Sequence, residues 1–285
     1  MTGESIVLVV AIGILLIPIA SFCNVIIDRM PLALDEPNEY GELWDTRSWS
    51  EVVGGRSRCS SCGADVRAID NIPVLSYVLL RGRCRSCGES YGAFHLWVEL
   101  GVPLVGALVT WGVVREQGWT WALVPILFLV PVGAVVAVID LRTMIVPTRV
   151  IWPATAVAAF LCVLVVVADG EPSWLLGAVL GVLALSGPLF VLWWIVPAGM
   201  GFGDVRLTVL LGLTVGFTAC SVGYSPGWGA MLGGVCLFLA ALIGIVMAIP
   251  FMGAGSRKVP FGPALVISAL VCVTLAEPIL APFAR

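Results

Sequence analysis

Charge is what this chain has least of. Only 12% of its 285 residues are Asp, Glu, Lys or Arg, and histidine occurs once. A soluble domain of ordinary usage carries about 25% charged residues, so a soluble enzyme is excluded. A basic excess is missing too. With 15 basic and 18 acidic residues the net charge is −3, which excludes a nucleic-acid binder working through a cationic face. Nine cysteines are too sparse for a small disulfide scaffold, and the apolar content is too high for a disordered tail. No dinucleotide-type glycine loop marks a cofactor pocket. What the chain has is apolar length: 60% of its residues are apolar or aromatic and its mean hydropathy is +1.06. Membrane lipid is therefore its expected surroundings.

A bilayer core about 30 Å thick takes roughly 20 apolar residues of helix. Stretches of that kind are read at 5–27, 94–114, 121–139, 149–168, 174–196, 207–222, 228–249 and 261–280. The expected fold is an all-α polytopic membrane protein of about eight transmembrane helices. It divides into a first helix at 1–27, a polar loop domain at 28–93 and a membrane bundle at 94–285. The first stretch has no basic residues ahead of it and is read as a span, not a cleaved signal peptide. The sixth is short and carries interior glycines. Before it, Pro197-Ala-Gly-Met-Gly-Phe-Gly203 reads as a flexible break.

Basic residues accumulate on the cytoplasmic side of a membrane. With eight spans, 13 of the 15 fall on one side: Arg29, Arg47, Arg56, Arg58, Arg67, Arg81, Arg83, Arg85, Arg142, Arg149, Arg206, Arg257 and Lys258. Arg115 and Arg285 fall on the other. The loop at 28–93 is thus expected in the cytoplasm, with both termini outside.

That loop carries Cys59-x2-Cys62 and Cys84-x2-Cys87 with 21 residues between them. A thiolate pair two residues apart grips one side of a tetrahedral ion, and two pairs complete it; such sets favour zinc or iron–sulfur. Gly63 and Gly88 follow the pairs and let the backbone turn. Disulfides or free thiols are the alternative, disfavoured in a reducing compartment. Four protein thiolates leave no open position for water, so a metal here is expected to be structural. Cys23, Cys162, Cys220, Cys236 and Cys272 lie singly in apolar stretches and read as small core residues.

Beyond residue 100 the acidic residues are Glu116, Asp140, Asp169, Glu171, Asp204 and Glu277. Asp140 and Asp204 fall at the cytoplasmic edges of apolar helices, on the same side of the membrane. The other four fall toward the outer side. Ionisable groups at a membrane are costly and mark function by default. Two carboxylates brought together share a proton, and such a pair can activate water against a peptide bond without a serine or cysteine nucleophile. Two other readings stay open. The aspartates could form interfacial ion pairs with Arg142, Arg149 or Arg206, or the pair could serve a proton-coupled transporter or channel with a zinc-stabilised loop.

Gly199-Met-Gly-Phe-Gly-Asp204 resembles the GxGD element of membrane aspartic proteases. With Asp140-Leu141 upstream, the chain is similar to the type IV prepilin peptidases. The resemblance continues through Asn24-Val-Ile-Ile-Asp-Arg-Met-Pro31, Asp70-Asn-Ile-Pro73, Leu80-Arg-Gly-Arg-Cys-Arg-Ser-Cys87, Val98-Glu-Leu100 and Val259-Pro-Phe-Gly-Pro263. It implies a bacterial inner-membrane endopeptidase that removes the leader of prepilins and pseudopilins on the cytoplasmic side. It also implies methylation of the new N-terminus with S-adenosylmethionine. By position, Asp140 and Asp204 would be catalytic, Gly201 and Gly203 would shape the second aspartate's loop, and Cys59, Cys62, Cys84 and Cys87 would bind structural zinc. The chain departs from the family pattern at Ala20 for Gly, Arg206 for Lys, Pro147-Thr148 for Pro-Asp, and Phe94-His95-Leu96 for Arg-Tyr-Pro.

The remaining polar residues have plainer readings. His95 reads as interfacial packing ahead of a general base, and Glu99 as either part of a methyl-transfer site or a helix cap. Arg81, Arg83 and Arg85 read as solvated charge or as contacts to anionic lipid or methyl donor. Arg257 and Lys258 read as interfacial anchors or substrate guides. Trp97, Trp119, Trp121, Trp174 and Trp228 suit an interfacial belt. Gly177 and Gly181 suit helix packing within or between chains, which leaves the oligomeric state open.

Overall fold

The computed structural model describes residues 3–30, 48–59, 61–197, 200–253 and 259–284. Arg47, Arg257, Lys258 and Arg285, counted for orientation, and Pro31 and Gly199 of the motifs, lie outside the described residues. The longer helices are α1 (Gly3–Arg29), α4 (Phe94–Gln117), α5 (Leu123–Thr143), α6 (Thr148–Asp169), α7 (Ser173–Ile195), α8 (Phe202–Ser221), α9 (Gly227–Gly253) and α10 (Gly262–Thr274). Three short ones are α2 (Trp49–Val53), α3 (Leu75–Leu80) and α11 (Ala276–Leu280). Among the described residues seven helices are long and apolar enough to cross a membrane, and α10 is a shorter apolar helix.

The expected eighth span is therefore two pieces. Its break at Leu275 has a local cause: Pro278 lacks the N–H that would bond to the Thr274 carbonyl four residues back, and its ring collides with that carbonyl. Thirteen residues make about 20 Å of helix, less than the apolar thickness of a bilayer.

The chain divides into two compact units, the first Val10–Gly106 and the second Met1–Val9 together with Ala107–Arg285. In the first, α1 meets α4 closely enough that a Cβ on Gly106 would overlap the Leu16 side chain. Arg29, at the end of α1, reaches into the loop segment and donates to the carbonyls of Val52 and Gly54. Val52 beneath it is fully buried.

In the second unit α8 is the central helix, with almost every residue from Val205 to Ser221 buried. Its modest hydropathy, which makes it the least obvious span in sequence, follows from that position. A helix surrounded by protein can carry hydroxyls and glycines that lipid would not reward. Thr208, Thr214, Thr218 and Ser221 are all buried, and each donates to a carbonyl of α8 itself. Gly212 and Gly216 face Gly177 and Gly181 of α7 so closely that added Cβ atoms would meet backbone at 2.3 to 2.8 Å. Gly229 of α9 closes on the Gly177 carbonyl in the same way. The small-residue stripe of α7 is thus used within the chain. Lipid-facing positions carry the large apolar side chains instead, as with Val167 at 75% and Phe238 at 63% exposure. Trp174 is no mere belt residue, since its ring packs edge-on against buried Phe217.

Because the atoms opposite Gly181 are backbone, they cannot move aside. Gly181→Ala is expected to destabilise the second unit by about 1–3 kcal/mol, the usual cost of overpacking. Gly187→Ala, where nothing lies within 4 Å, should be neutral. Unfolding of the two variants in detergent measures the difference.

Candidate active site

Three helix ends meet in the second unit. Asp140 lies in the last turn of α5, which is closed by Met144 in a left-handed conformation (φ 57°) whose N–H bonds back to the Asp140 carbonyl at 2.8 Å. Asp204 lies in the first turn of α8. That helix begins earlier than the apolar pattern suggests. Phe202 and Gly203 are already helical, extended Gly201 is the N-cap, and the Asp204 N–H bonds to the Gly201 carbonyl at 3.2 Å. Gly203 is required by its neighbour, since a Cβ there would sit 2.8 Å from Cβ of Val146 in the connection after α5. Gly201 differs: it is exposed, and among the described residues beyond its chain neighbours no atom comes closer to its Cβ position than 3.9 Å. One glycine serves packing and the other leaves open space beside the aspartate.

Asp140 is 3% exposed and Asp204 half-buried, and the two carboxylates are close enough for their charges to interact. The third helix end is α10. The backbone N–H of Gly262, its first residue, donates to Asp140 Oδ2 at 2.9 Å. A helix N-terminus offers unpaired N–H groups and a partial positive charge, both of which suit a carboxylate. Among the described residues neither aspartate is in an ion pair with arginine. Arg206 instead donates to Thr148 Oγ1 at 2.7 Å and stacks over the Phe202 ring at 4.7 Å. Among the described residues the interfacial ion-pair reading of Asp204 with Arg206 therefore does not hold.

The four loop cysteines converge in the first unit. Their sulfurs all lie within 4.8 Å of one another, and Cys59 Sγ and Cys87 Sγ are 3.9 Å apart. Four sulfurs about 2.3 Å from a zinc ion stand about 3.8 Å from each other, so the set fits that ion. The two halves are built alike. The N–H groups of Gly63 and Gly88 bond to the carbonyls of Cys59 and Cys84 at 2.9 Å, with both glycines at positive φ (70° and 74°). None of the four is in a disulfide, and the N–H groups of Cys62 and Ser61 directed at Cys59 bring its thiol down to about 6. Arg85, between Cys84 and Cys87, is committed to Asp70 through two hydrogen bonds of 2.7 and 2.5 Å, which ties the second half to the short 3-10 helix Ala68–Asn71. The Arg85 guanidinium holds the Asp70 carboxyl below the usual carboxylate range.

Residues 14–113 match the family model for the bacterial peptidase A24 N-terminal domain, and residues 127–252 match that of the type IV leader peptidase family. The prepilin leader peptidase/N-methyltransferase of Neisseria gonorrhoeae is 30% identical over 269 residues, covering 90% of this chain and 86% of that protein. The corresponding protein of Aeromonas hydrophila is 30% identical over 90% of this chain and 86% of its own length. That of Myxococcus xanthus (strain DK1622) is 32% identical over 84% of this chain and 63% of its own length. The chain belongs to the type IV leader peptidase family. It is a multi-pass membrane enzyme of the peptidase class. No solved structure matches it.

In this leader peptidase two features escape sequence reasoning. The first is Gly262, which appears in a motif but has no chemistry in its side chain; its contribution is a backbone N–H delivered from 122 residues away. A Cβ at Gly262 would lie 2.7 Å from Asp140 Oδ2 and 3.2 Å from its Cγ. Gly262→Ala should therefore displace the Asp140 carboxylate without removing it. An ångström of misplacement can cost about 100-fold in rate, so kcat/KM for cleavage should fall by about that factor.

The second feature is His95. Far from serving only as interfacial packing, its Nε2 lies 2.5 Å from Asp28 Oδ2, and its backbone carbonyl accepts from the Asn24 side chain at 3.1 Å. Glu99, one turn further along α4, is 9% exposed and accepts the Val74 N–H at 2.7 Å. Val74 is held at φ 62°, a region β-branched residues rarely occupy.

Proposed function

We propose that this enzyme is an aspartic endopeptidase of the cytoplasmic membrane that removes the leader of type IV prepilins or pseudopilins at the cytoplasmic face. The observation that carries this reading is the placing of Asp140 and Asp204 at two helix ends within reach of each other's charge, with neither in an ion pair with arginine among the described residues. The pair holds one proton. The ionised carboxylate takes a proton from water as the oxygen attacks the scissile carbonyl, and the protonated carboxyl donates to the carbonyl oxygen. Collapse of the tetrahedral carbon then expels the amine, which leaves with a proton from the pair.

Gly262 N–H orients one member of this pair, and the open flank at Gly201 gives an extended substrate strand room to approach. The cytoplasmic side is supported by the basic residues that lie at the same helix ends as the aspartates, Arg142, Arg149 and Arg206. The substrate's own apolar segment lies in lipid, with its leader at the interface.

The second activity is methylation of the freed N-terminal amine with S-adenosylmethionine. It is supported by the names of the relatives and by the cysteine loop, in which zinc is structural. The test is co-expression with a prepilin in a host that lacks leader processing. The prepilin should lose its leader in cells making the wild-type chain. A full-length prepilin beside stable, membrane-inserted enzyme contradicts the peptidase reading.

A further inference from the structure

Among the described residues, two buried polar atoms of the first unit have no hydrogen-bond partner: Asn24 Oδ1 and His95 Nδ1. They belong to one cluster. Asn24 and Asp28 are four residues apart on α1, and His95 and Glu99 are four apart on α4, so each pair lies on one helix face. The faces are pinned together by the Asn24 amide on the His95 carbonyl and by the Asp28 carboxylate on His95 Nε2. Asn24 is only 5% exposed. Its Nδ2 is spent on the His95 carbonyl, so the atom left over is an acceptor.

The histidine ring is held just as firmly. Tyr91 and Phe94 stand edge-on to it at 5.9 and 6.2 Å. An ionised carboxylate only accepts hydrogen bonds, so the Nε2–H faces Asp28 and Nδ1 is the ring nitrogen left to take a proton. That is the arrangement of an oriented base, one ring nitrogen fixed by a carboxylate and the other buried without a described partner. The side-chain atoms left over in the cluster accept protons or hydrogen bonds, and Asp28 and Glu99 add negative charge. A group that fills such a place is a cationic donor of several hydrogens, and an N-terminal ammonium is one.

We propose that Asn24, Asp28 and His95 seat the amine freed by leader removal, with His95 Nδ1 as the base that deprotonates it for methyl transfer. The proposal rests on the N-methyltransferase reading above and names the residues that would serve it. His95 Nδ1 takes one proton from the ammonium, giving a neutral amine with a lone pair. The amine nitrogen forms a bond to the methyl carbon of the sulfonium donor as the carbon–sulfur bond breaks. The electron pair stays on sulfur as a neutral thioether, and the product is a methylated ammonium beside a protonated histidine. Asn24 Oδ1 accepts a remaining N–H and orients the lone pair. Asp28 acts through His95 and is a positioning residue.

His95→Gln is the informative substitution. The glutamine amide can still donate to Asp28, so the contact between the helix faces survives, but the ring lone pair is gone. Purified wild type and His95→Gln are given a prepilin substrate in lipid with S-adenosylmethionine, and cleavage and methylation are read from the same product by mass. Methylation should fall by about 100-fold or more, the usual contribution of a general base, with cleavage within twofold of wild type. Equal methylation by the two proteins overturns the proposal and leaves the methyltransferase reading standing. A wild type that cleaves but never methylates overturns that reading instead.

A second measurement needs no methyl transfer. A peptide carrying the processed N-terminus should bind wild type at least about tenfold more tightly with a free amine than when acetylated. Asn24→Leu and His95→Gln should lose that preference. Equal binding of the two peptides by wild type overturns the amine seat.

Discussion

Asp140→Asn and Asp204→Asn should each lower leader cleavage by at least about 1,000-fold, and the double variant should be no worse than either alone. The size follows from what each carboxylate does, since a positioned acid or base contributes about 10²–10⁴-fold and neither half of a shared-proton pair works without the other. Non-additivity is the sharper part. Residues that act as one unit lose their function together, whereas two independent contributors multiply their losses. Asparagine has the shape of aspartate, and at 140 its carbonyl oxygen can still accept the Gly262 N–H. The variants should therefore fold and insert as wild type does, which thermal unfolding in detergent will show. Retention of more than a tenth of the wild-type rate by either one would remove the pair from the chemistry.

Loss of the metal should have the next largest effect, and a different one. Structural zinc sites contribute about 10–16 kcal/mol of apparent binding free energy, and the loop offers little else of that size. Among its described residues Met30 and Val52 are the buried apolar side chains, while Cys62 and Cys87 are exposed and the Arg58–Asp65 and Arg85–Asp70 pairs keep their arginines in water. Cys62→Ser replaces a soft thiolate by a hydroxyl that zinc binds poorly. Amide exchange across 57–92 should rise steeply in that variant or on chelation, and methylation should be lost. Asp140 and Asp204 belong to the other compact unit, so cleavage should persist. Slow exchange in the metal-free protein would contradict a structural role for the ion.

Much of this architecture is legible in the chain itself, because a lipid environment leaves few choices. Stretches of apolar residues long enough to span become α1 and α4 to α9, and the cysteine pairs with their following glycines become the two matched halves of one metal set. What sequence hides is of two kinds. Local patterns mislead where tertiary packing overrides them: Phe202 and Gly203 look like loop and are helix, since Gly203 packs under Val146, and 261–280 looks like one span until Pro278 breaks it. Long-range partners have no local signal at all. The Gly262 N–H on Asp140 and the Asp28 carboxylate on His95 join residues 122 and 67 positions apart. A lone histidine in an apolar setting reads as packing until its partner is seen. The glycines of α7 show the same limit, since sequence alone does not say that Gly177 and Gly181 meet α8 and α9 of their own chain.

The most direct single measurement is the mass of a prepilin substrate after incubation with purified enzyme in lipid, wild type beside Asp204→Asn, with and without S-adenosylmethionine. Wild type should release the leader in both conditions and add about 14 Da to the product only when the methyl donor is present, the increment expected for one N-methylation. Asp204→Asn should leave the substrate intact in both. Leader release by Asp204→Asn at the wild-type rate, or an intact substrate with folded wild-type enzyme, would contradict catalysis by the Asp140–Asp204 pair.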